Sequence, residues 1–286
     1  MHKLRLSLAH IYMGLFIFYL LVPLVVMSGA AFNDSKLPSI VPWKGFTTMW
    51  FGEMIADQRM MVAFANTLWV AAAVALISVF VGTASAILIN SVSGKARTVL
   101  YGMMISTILI PGVVIGISTM ILWTKMGNAI GTEFFLFNPG LHLSVLGQVS
   151  YIAAMVMLLV LARLQSFDAG LEEAALDLGA SHSQVMRRIL LPHLYPAIGA
   201  GAAVAFFQSI ENFNVTQFTR GGADTLTVYV FSKVRAGITP TINALAFLLI
   251  LVTLLLALIY EINRRRRAAI EAAREAEARQ AEAAQL

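Results

Sequence analysis

Six apolar runs, each long enough to cross a bilayer, dominate this sequence and constrain everything else it can do. They extend from Ile11 to about Ala31, Val62 to Ile89, Val99 to Trp123, Leu143 to Ala162, Ala197 to Phe218 and Ala244 to Ile262. A helix needs about 20 such residues to span the hydrocarbon core. The runs are continuous rather than alternating, which excludes a membrane β-barrel. Of the 286 residues, 59% are hydrophobic and 12% charged, and the mean hydropathy is +0.79. Soluble domains carry about twice that charge, so a soluble enzyme, a disordered tail and a nucleic-acid module are all excluded. With no cysteine, no disulfide framework or thiolate site is available. The fold expected is all-α and polytopic.

The first run, with its basic start and the small residues Ser28-Gly29-Ala30-Ala31, has the outline of a cleaved signal peptide. Its apolar length exceeds the usual signal core, and it is assigned as a retained span. Pro23, Gly82, Pro111, Gly112 and Gly116 lie inside spans, where neighbouring helices can satisfy freed backbone groups. Gly82 and Ala86 form a small-xxx-small pair suited to close packing. Placing both termini in the cytoplasm leaves only Lys36, Lys44, Arg59, Lys125, Arg220, Lys233 and Arg235 outside. The other basic residues then lie inside, including the run Arg264 to Arg267 after the last span. Positive charge resists translocation, so this is the expected orientation, and the arginine run is also suited to anionic lipid. Residues 268–286 are rich in strong helix formers, with Glu275 and Arg279 in the favourable i,i+4 order, and extend the last helix into solvent.

The long polar segment from Arg163 to Pro196 lies on the cytoplasmic side. Leu171, Ala174, Ala175 and Leu178 recur at helical spacing, and Gly179 then ends the helix. Ser181 and Gln184 form the capping box of a second helix, with Val185, Ile189 and Leu190 on one face and Pro192 close behind. The pattern predicts two short helices hinged at Gly179-Ala180. Glu172, Glu173 and Asp177 lie on the first, and Arg187 and Arg188 on the second. A charged hairpin held between two spans is suited to grip another protein.

These residues resemble a known family. Glu173-Ala174-Ala175, then Gly179, then Ile189-Leu190-Leu191-Pro192 match the EAA loop of permease subunits of type I ABC importers. The resemblance extends over nearly the whole chain, including Asn66-Thr67-Leu68 at the start of span two. The stretches Phe167 to Leu178 and Gly237 to Leu245 look most like spermidine/putrescine permeases. It implies the methionine-importer-like type I permease fold in a bacterial inner membrane. It also implies coupling to a cytoplasmic ATPase pair through Glu172, Glu173, Ala174, Ala175, Gly179, Ala180, Leu191 and Pro192. A second homologous permease would complete the channel, and a periplasmic solute-binding protein would deliver the cargo. ATP and magnesium would sit on the ATPase, with no cofactor on this chain. One departure is Glu211-Asn212, where polyamine permeases tend to carry two adjacent acids. Relatives import opines, amino-acid-like solutes or aminoethylphosphonate, which remain alternatives.

Span five carries the unusual polar residues Gln208, Glu211, Asn212, Asn214 and Gln217. On a continuous helix Gln208, Glu211 and Asn214 share one face. An intramembrane carboxylate is costly and marks a functional site by default. One flanked by amides suits a passing ammonium group, so Gln208, Glu211, Asn212 and Asn214 are candidates for the substrate path. The alternative is that Glu211 pairs with a basic residue of a partner subunit. No P-loop is present, since Ile89 stands where its first glycine would be. The five histidines lack metal-ligand spacing, and no catalytic arrangement is found. The aromatics Trp43, Trp50, Phe134, Phe135 and Phe137 lie in outer loops that the resemblance assigns to contact with the binding protein; they can instead be interfacial anchors, the reading adopted for the tryptophans.

The expected organisation is a first helix and outer loop over 1–61, a permease core over 62–263 with its coupling loop at 163–196, and a helical tail over 264–286. The expected function is the channel subunit of an ATP-driven importer for small organic solutes, polyamines or another cationic amine. It is not an enzyme. An ion-gradient-driven transporter is the rival reading, but it would show repeats and charges in several spans.

Overall fold

The computed structural model describes residues 2–132 and 134–283, with side chains for 9–132, 134–266 and 268–270. The pairing of Glu275 with Arg279, and the side chains of Lys3, Arg5, Arg267 and Arg274, lie outside the described residues. The chain runs α1 (His2–Ala30), α2 (Met49–Ala56), α3 (Gln58–Ser91), α4 (Gly94–Leu109), α5 (Gly112–Ile130) and α6 (Leu141–Leu164). It continues with α7 (Ala169–Asp177), α8 (His182–Val185), α9 (Leu191–Ile210), α10 (Thr216–Thr219), α11 (Leu226–Ala236) and α12 (Pro240–Ala283). Among the described residues, six helical segments are long and apolar enough to cross a membrane.

The predicted third span is not one helix. Pro111 has no N–H to donate and disfavours the helical conformation of the residue before it. Ile110 accordingly takes ψ 129°, and α5 starts afresh after Pro111. Only α5 has the length and hydropathy of a span.

The chain forms two compact units, one of residues 1–57 with 233–286, the other of Gln58–Ser232. In the first, α12 packs on α1 and α2. Asn33, fully buried, organises the loop after α1. Its Nδ2 donates to the carbonyls of Ser39 and Pro42, and its Oδ1 accepts from the Lys44 N–H. The Trp50 indole donates to the Asn33 carbonyl at 2.9 Å and is only 5% exposed. Trp50 is therefore a packing residue and not the interfacial anchor expected, whereas Trp43 is exposed. Phe32, Phe46, Phe51 and Phe247 stack around this loop.

In the second unit α3, α6 and α9 pack on one another. Val70, Val74 and Ile89 meet Ile152, Val156, Met157 and Val160, with Leu194 and Ala205 from α9. Lipid tails are as apolar as these side chains, so tight packing rather than hydrophobic burial holds membrane helices together. Gly82 shows how close the approach is. A Cβ there would sit 2.6 Å from the Ala153 carbonyl and 2.9 Å from the Met157 nitrogen, while Ala86, one turn on, is completely buried. The small-xxx-small pair thus lets α3 lie against the backbone of α6.

Candidate functional site

Two places carry the polar chemistry of the second unit: the cytoplasmic hairpin and an interruption in the fifth span. The hairpin begins at Asp168, whose Oδ1 caps α7 by accepting from the Gly170 N–H at 2.9 Å. Its far end is a Schellman stop. The Gly179 N–H donates to the Leu176 carbonyl at 2.9 Å and the Ala180 N–H to the Ala175 carbonyl at 3.0 Å. Gly179 sits at φ +87°, as the sequence pattern requires. The capping box is also present, with Ser181 and Gln184 exchanging hydrogen bonds of 2.8 and 3.3 Å.

The second helix differs from the expectation. It does not end before Pro192. A π turn over Met186–Leu190 joins α8 to α9, giving one helical rod from His182 to Ile210. Pro192 lacks the N–H that would bond four residues back, and a widened turn accommodates that loss. Arg163, at the end of α6, donates through Nε to the His193 carbonyl at 3.2 Å, and the His193 ring packs on Phe167.

What the hairpin shows to solvent is informative. Leu178 is 89% exposed, outside any span. Glu173, Ala174, Gly179 and Pro192 are exposed, and Glu172, Ala175, Ala180 and Leu191 half-buried. A groove of about 280 Å³ lies among Leu178, Gly179, Ala180, Gln184, Val185, Arg188 and Ile189. Glu172, Glu173, Asp177, Arg187 and Arg188 form no ion pairs with described residues of this chain. An apolar tip ringed by unpaired charge is the anatomy of a protein interface.

The fifth span is interrupted. Helix α9 stops at Ile210, residues 211–215 are irregular, and α10 begins at Thr216. Gln208, Glu211 and Asn214 therefore do not share a face of one continuous helix. Against the break α6 presents Ser144, Gln148 and Tyr151 as a polar stripe. Gln148 accepts from Ser209 Oγ at 2.6 Å and donates to Thr216 Oγ1 at 2.9 Å. Ser144 bonds Thr219 at 2.8 Å. Asn212, nearly buried, donates to the Tyr151 hydroxyl at 2.6 Å and accepts from the Val215 N–H at 3.1 Å. Thr227 Oγ1 donates to the Asn212 carbonyl at 3.2 Å. Two of these bonds reach backbone, from the Val215 N–H to Asn212 Oδ1 and from Thr227 Oγ1 to the Asn212 carbonyl, and they satisfy groups left open at the break, as irregular backbone in a membrane protein requires. Val215 is completely buried, and a Cβ on Gly116 or Gly147 would come within 3 Å of it. Sequence reasoning missed this clasp. Its members Ser144, Gln148 and Tyr151 form a polar i, i+4, i+7 stripe on span four, and that stripe was the available signal.

The break sorts the candidate path residues. Asn212 is occupied at both ends of its amide. Glu211 caps the end of α9 and is exposed, as is Asn214, while Gln208 is half-buried. Glu211 makes no ion pair with a described residue of this chain. Beyond α10, Asp224 bridges Arg59 at 2.7 Å and Arg220 at 2.6 Å. Asn66 Nδ2 donates to the Asp224 carbonyl and Thr67 Oγ1 accepts from the Leu226 N–H. Asn66-Thr67 thus ties the Asp224–Leu226 turn to the start of α3.

Comparison with known proteins agrees with this geometry. Residues 78–268 match the family described as "Binding-protein-dependent transport system inner membrane component". The putrescine transport system permease protein PotI of Escherichia coli K12 is 35% identical over 234 residues, 81% of this chain and 82% of its own. The spermidine/putrescine permease PotC of Haemophilus influenzae is 27% identical over 263 residues, covering 92% and 98% of the two chains. The fold is shared with a bacterial ABC transporter involved in import of the acidic polysaccharide alginate, with TM-score 0.71, 20% identity, and 92% and 96% of the two chains covered. A methionine ABC transporter in an inward-facing conformation matches at TM-score 0.52 and 19% identity, over 74% and 98%. With its spans, hairpin and matched sequence taken together, the chain belongs to the binding-protein-dependent transport system inner membrane components, the permease subunits of bacterial ABC importers.

Proposed function

We propose that this permease carries polyamines or closely related small cationic amines. The observation that carries the reading is Glu211. It is a carboxylate without an ion partner among the described residues, exposed where span five unwinds. A carboxylate at membrane depth needs a counter-charge or water, and an alkylammonium group supplies the former. Gln208 and Asn214, on either side of the break, offer amide acceptors to the same ligand. The names of the 35% and 27% identical relatives support this substrate class.

In this reading the hairpin is where a cytoplasmic ATPase docks, with Leu178 as its apolar plug and Glu172, Glu173, Ala174, Ala175, Gly179, Ala180, Leu191 and Pro192 shaping it. ATP and magnesium belong to that ATPase, and this chain holds no cofactor and catalyses no reaction of its own. A second homologous permease completes the pathway, and a periplasmic binding protein hands over the cargo. Closure of the ATPase pair moves the hairpins, and the two permeases turn from inward-open to outward-open.

The test is Glu211→Gln in the reconstituted complex, which keeps shape and removes charge. Losing a charge-assisted hydrogen bond costs about 1.5–3 kcal/mol, so uptake of putrescine or spermidine should weaken about ten- to a hundredfold in affinity. The second permease should still co-purify, and basal ATP hydrolysis should persist. Undiminished amine uptake would remove Glu211 from the path. A loosened permease pair would instead make Glu211 an interface residue.

A further inference from the structure

A groove between α4 and α6 has no place in the transport reading above. It is lined by Arg97, Thr98 and Tyr101 from the first turns of α4, and by Leu158, Leu161, Ala162 and Gln165 from the end of α6. Its volume is about 410 Å³. Arg97 and Tyr101 are four residues apart and share one face of α4. Leu158, Leu161, Ala162 and Gln165 share one face of α6. The groove is therefore graded, with an apolar floor leading to a guanidinium, a phenol and an amide at the cytoplasmic end.

The charge in this groove is unanswered. Arg97 is exposed and forms no ion pair with a described residue. Acidic residues are also sparse in the sequence on either side of it. Between Asp57 and Asp168 the sole acidic residue in the sequence is Glu133. Lys95 adds a second positive charge one residue before the groove. Among the described residues no carboxylate answers this corner.

We propose that the groove binds an anionic phospholipid of the cytoplasmic leaflet. The phosphate is held by Arg97, which can offer two parallel N–H donors to it, with Tyr101 and Gln165 as neutral donors beside it. One acyl chain lies along Leu158, Leu161 and Ala162. Basic pockets between membrane helices on the cytoplasmic side are suited to such headgroups. A carboxylate of a partner subunit could answer the charge of Arg97, but it would leave the apolar floor of the groove uncovered. An amphiphile covers both.

The experiment uses the full chain assembled with its partner subunits in nanodiscs of phosphatidylglycerol and phosphatidylcholine, with retained lipid measured by native mass spectrometry. Wild type should retain phosphatidylglycerol above its bulk ratio. R97Q should lower that enrichment about fivefold. A162W, which fills the floor without altering charge, should lower it as well, and thermal stability checks that both variants fold. Replacing Arg264 to Arg267 with glutamine removes the other basic cluster and should leave the Arg97-dependent fraction in place. Retention at the bulk ratio in wild type, or unchanged enrichment in both groove variants, would overturn the proposal. Loss of the ATPase from R97Q with lipid enrichment unchanged would overturn it too, by assigning Arg97 to a subunit contact.

Discussion

Replacing Gly179 isolates the backbone conformation on which the hairpin turns. Gly179 lies at φ +87°, and a Cβ built there meets nothing within 4 Å. Substitution therefore meets no steric clash, and its cost is conformational, about 1–2 kcal/mol for a residue with a side chain. That is a factor of about 5–30 in the population of the native turn. The two hydrogen bonds that close the turn, from Gly179 to Leu176 and from Ala180 to Ala175, depend on it. Asparagine enters the left-handed region more readily than alanine, and a β-branched residue least of all. Coupling should thus fall in the order glycine, asparagine, alanine, valine. The assay is amine uptake per ATP hydrolysed in proteoliposomes, with ATPase co-purification measured alongside. Membrane insertion should stay constant across the series because residue 179 lies outside the spans. If asparagine and valine are equally damaging, size and not φ is responsible. If all three variants transport normally, the hairpin conformation does not matter for coupling.

Gly82→Val should separate α3 from α6 and cost about 3 kcal/mol or more, since its Cβ would meet backbone that cannot rotate away. Gly102→Val, with open space around it, should leave thermal stability in detergent nearly unchanged. Tyr151→Phe leaves the buried Asn212 amide without its acceptor and should cost about 1 kcal/mol, read as a lower unfolding temperature together with reduced amine uptake. Asp224→Asn should destabilise more than Arg59→Gln, because the Arg59 side chain is 68% exposed whereas that of Arg220 is 22% exposed and loses a shielded partner. Thermal melts of the two variants at equal salt compare them directly.

The spans were legible because hydropathy over about 20 residues is a strong local signal. The hairpin was legible for a related reason: Gly179 and the pair Ser181 and Gln184 act within a few residues of themselves. What escaped the sequence were the interruptions. Pro111 was read as tolerated inside a span, yet its effect on Ile110 ends a helix. The break after Ile210 was hidden because the side-chain bonds that brace it join distant residues, Ser209 with Gln148 and Asn212 with Tyr151. Apolar periodicity cannot report such long-range bonds. Trp50 failed similarly. A tryptophan near a span end looks interfacial until a distant carbonyl, here that of Asn33, takes its indole N–H. The continuation of α8 into α9 was missed because the second helix was expected to be short, when one π turn suffices to carry it past Pro192.

That π turn has a mechanical consequence. Because the backbone never leaves a helical path between His182 and Ile210, those 29 residues form a strut of about 43 Å with no slack loop in it. Its cytoplasmic end carries the Ser181 cap beside the hairpin tip, and its other end stops at Glu211. A tilt or roll imposed at one end is delivered at the other with the same angle. Register along the strut is then as consequential as contact at its ends. Deleting a single residue within Met186–Leu190 would turn the Glu211 end by about 100° relative to the hairpin, without altering one side chain at either place.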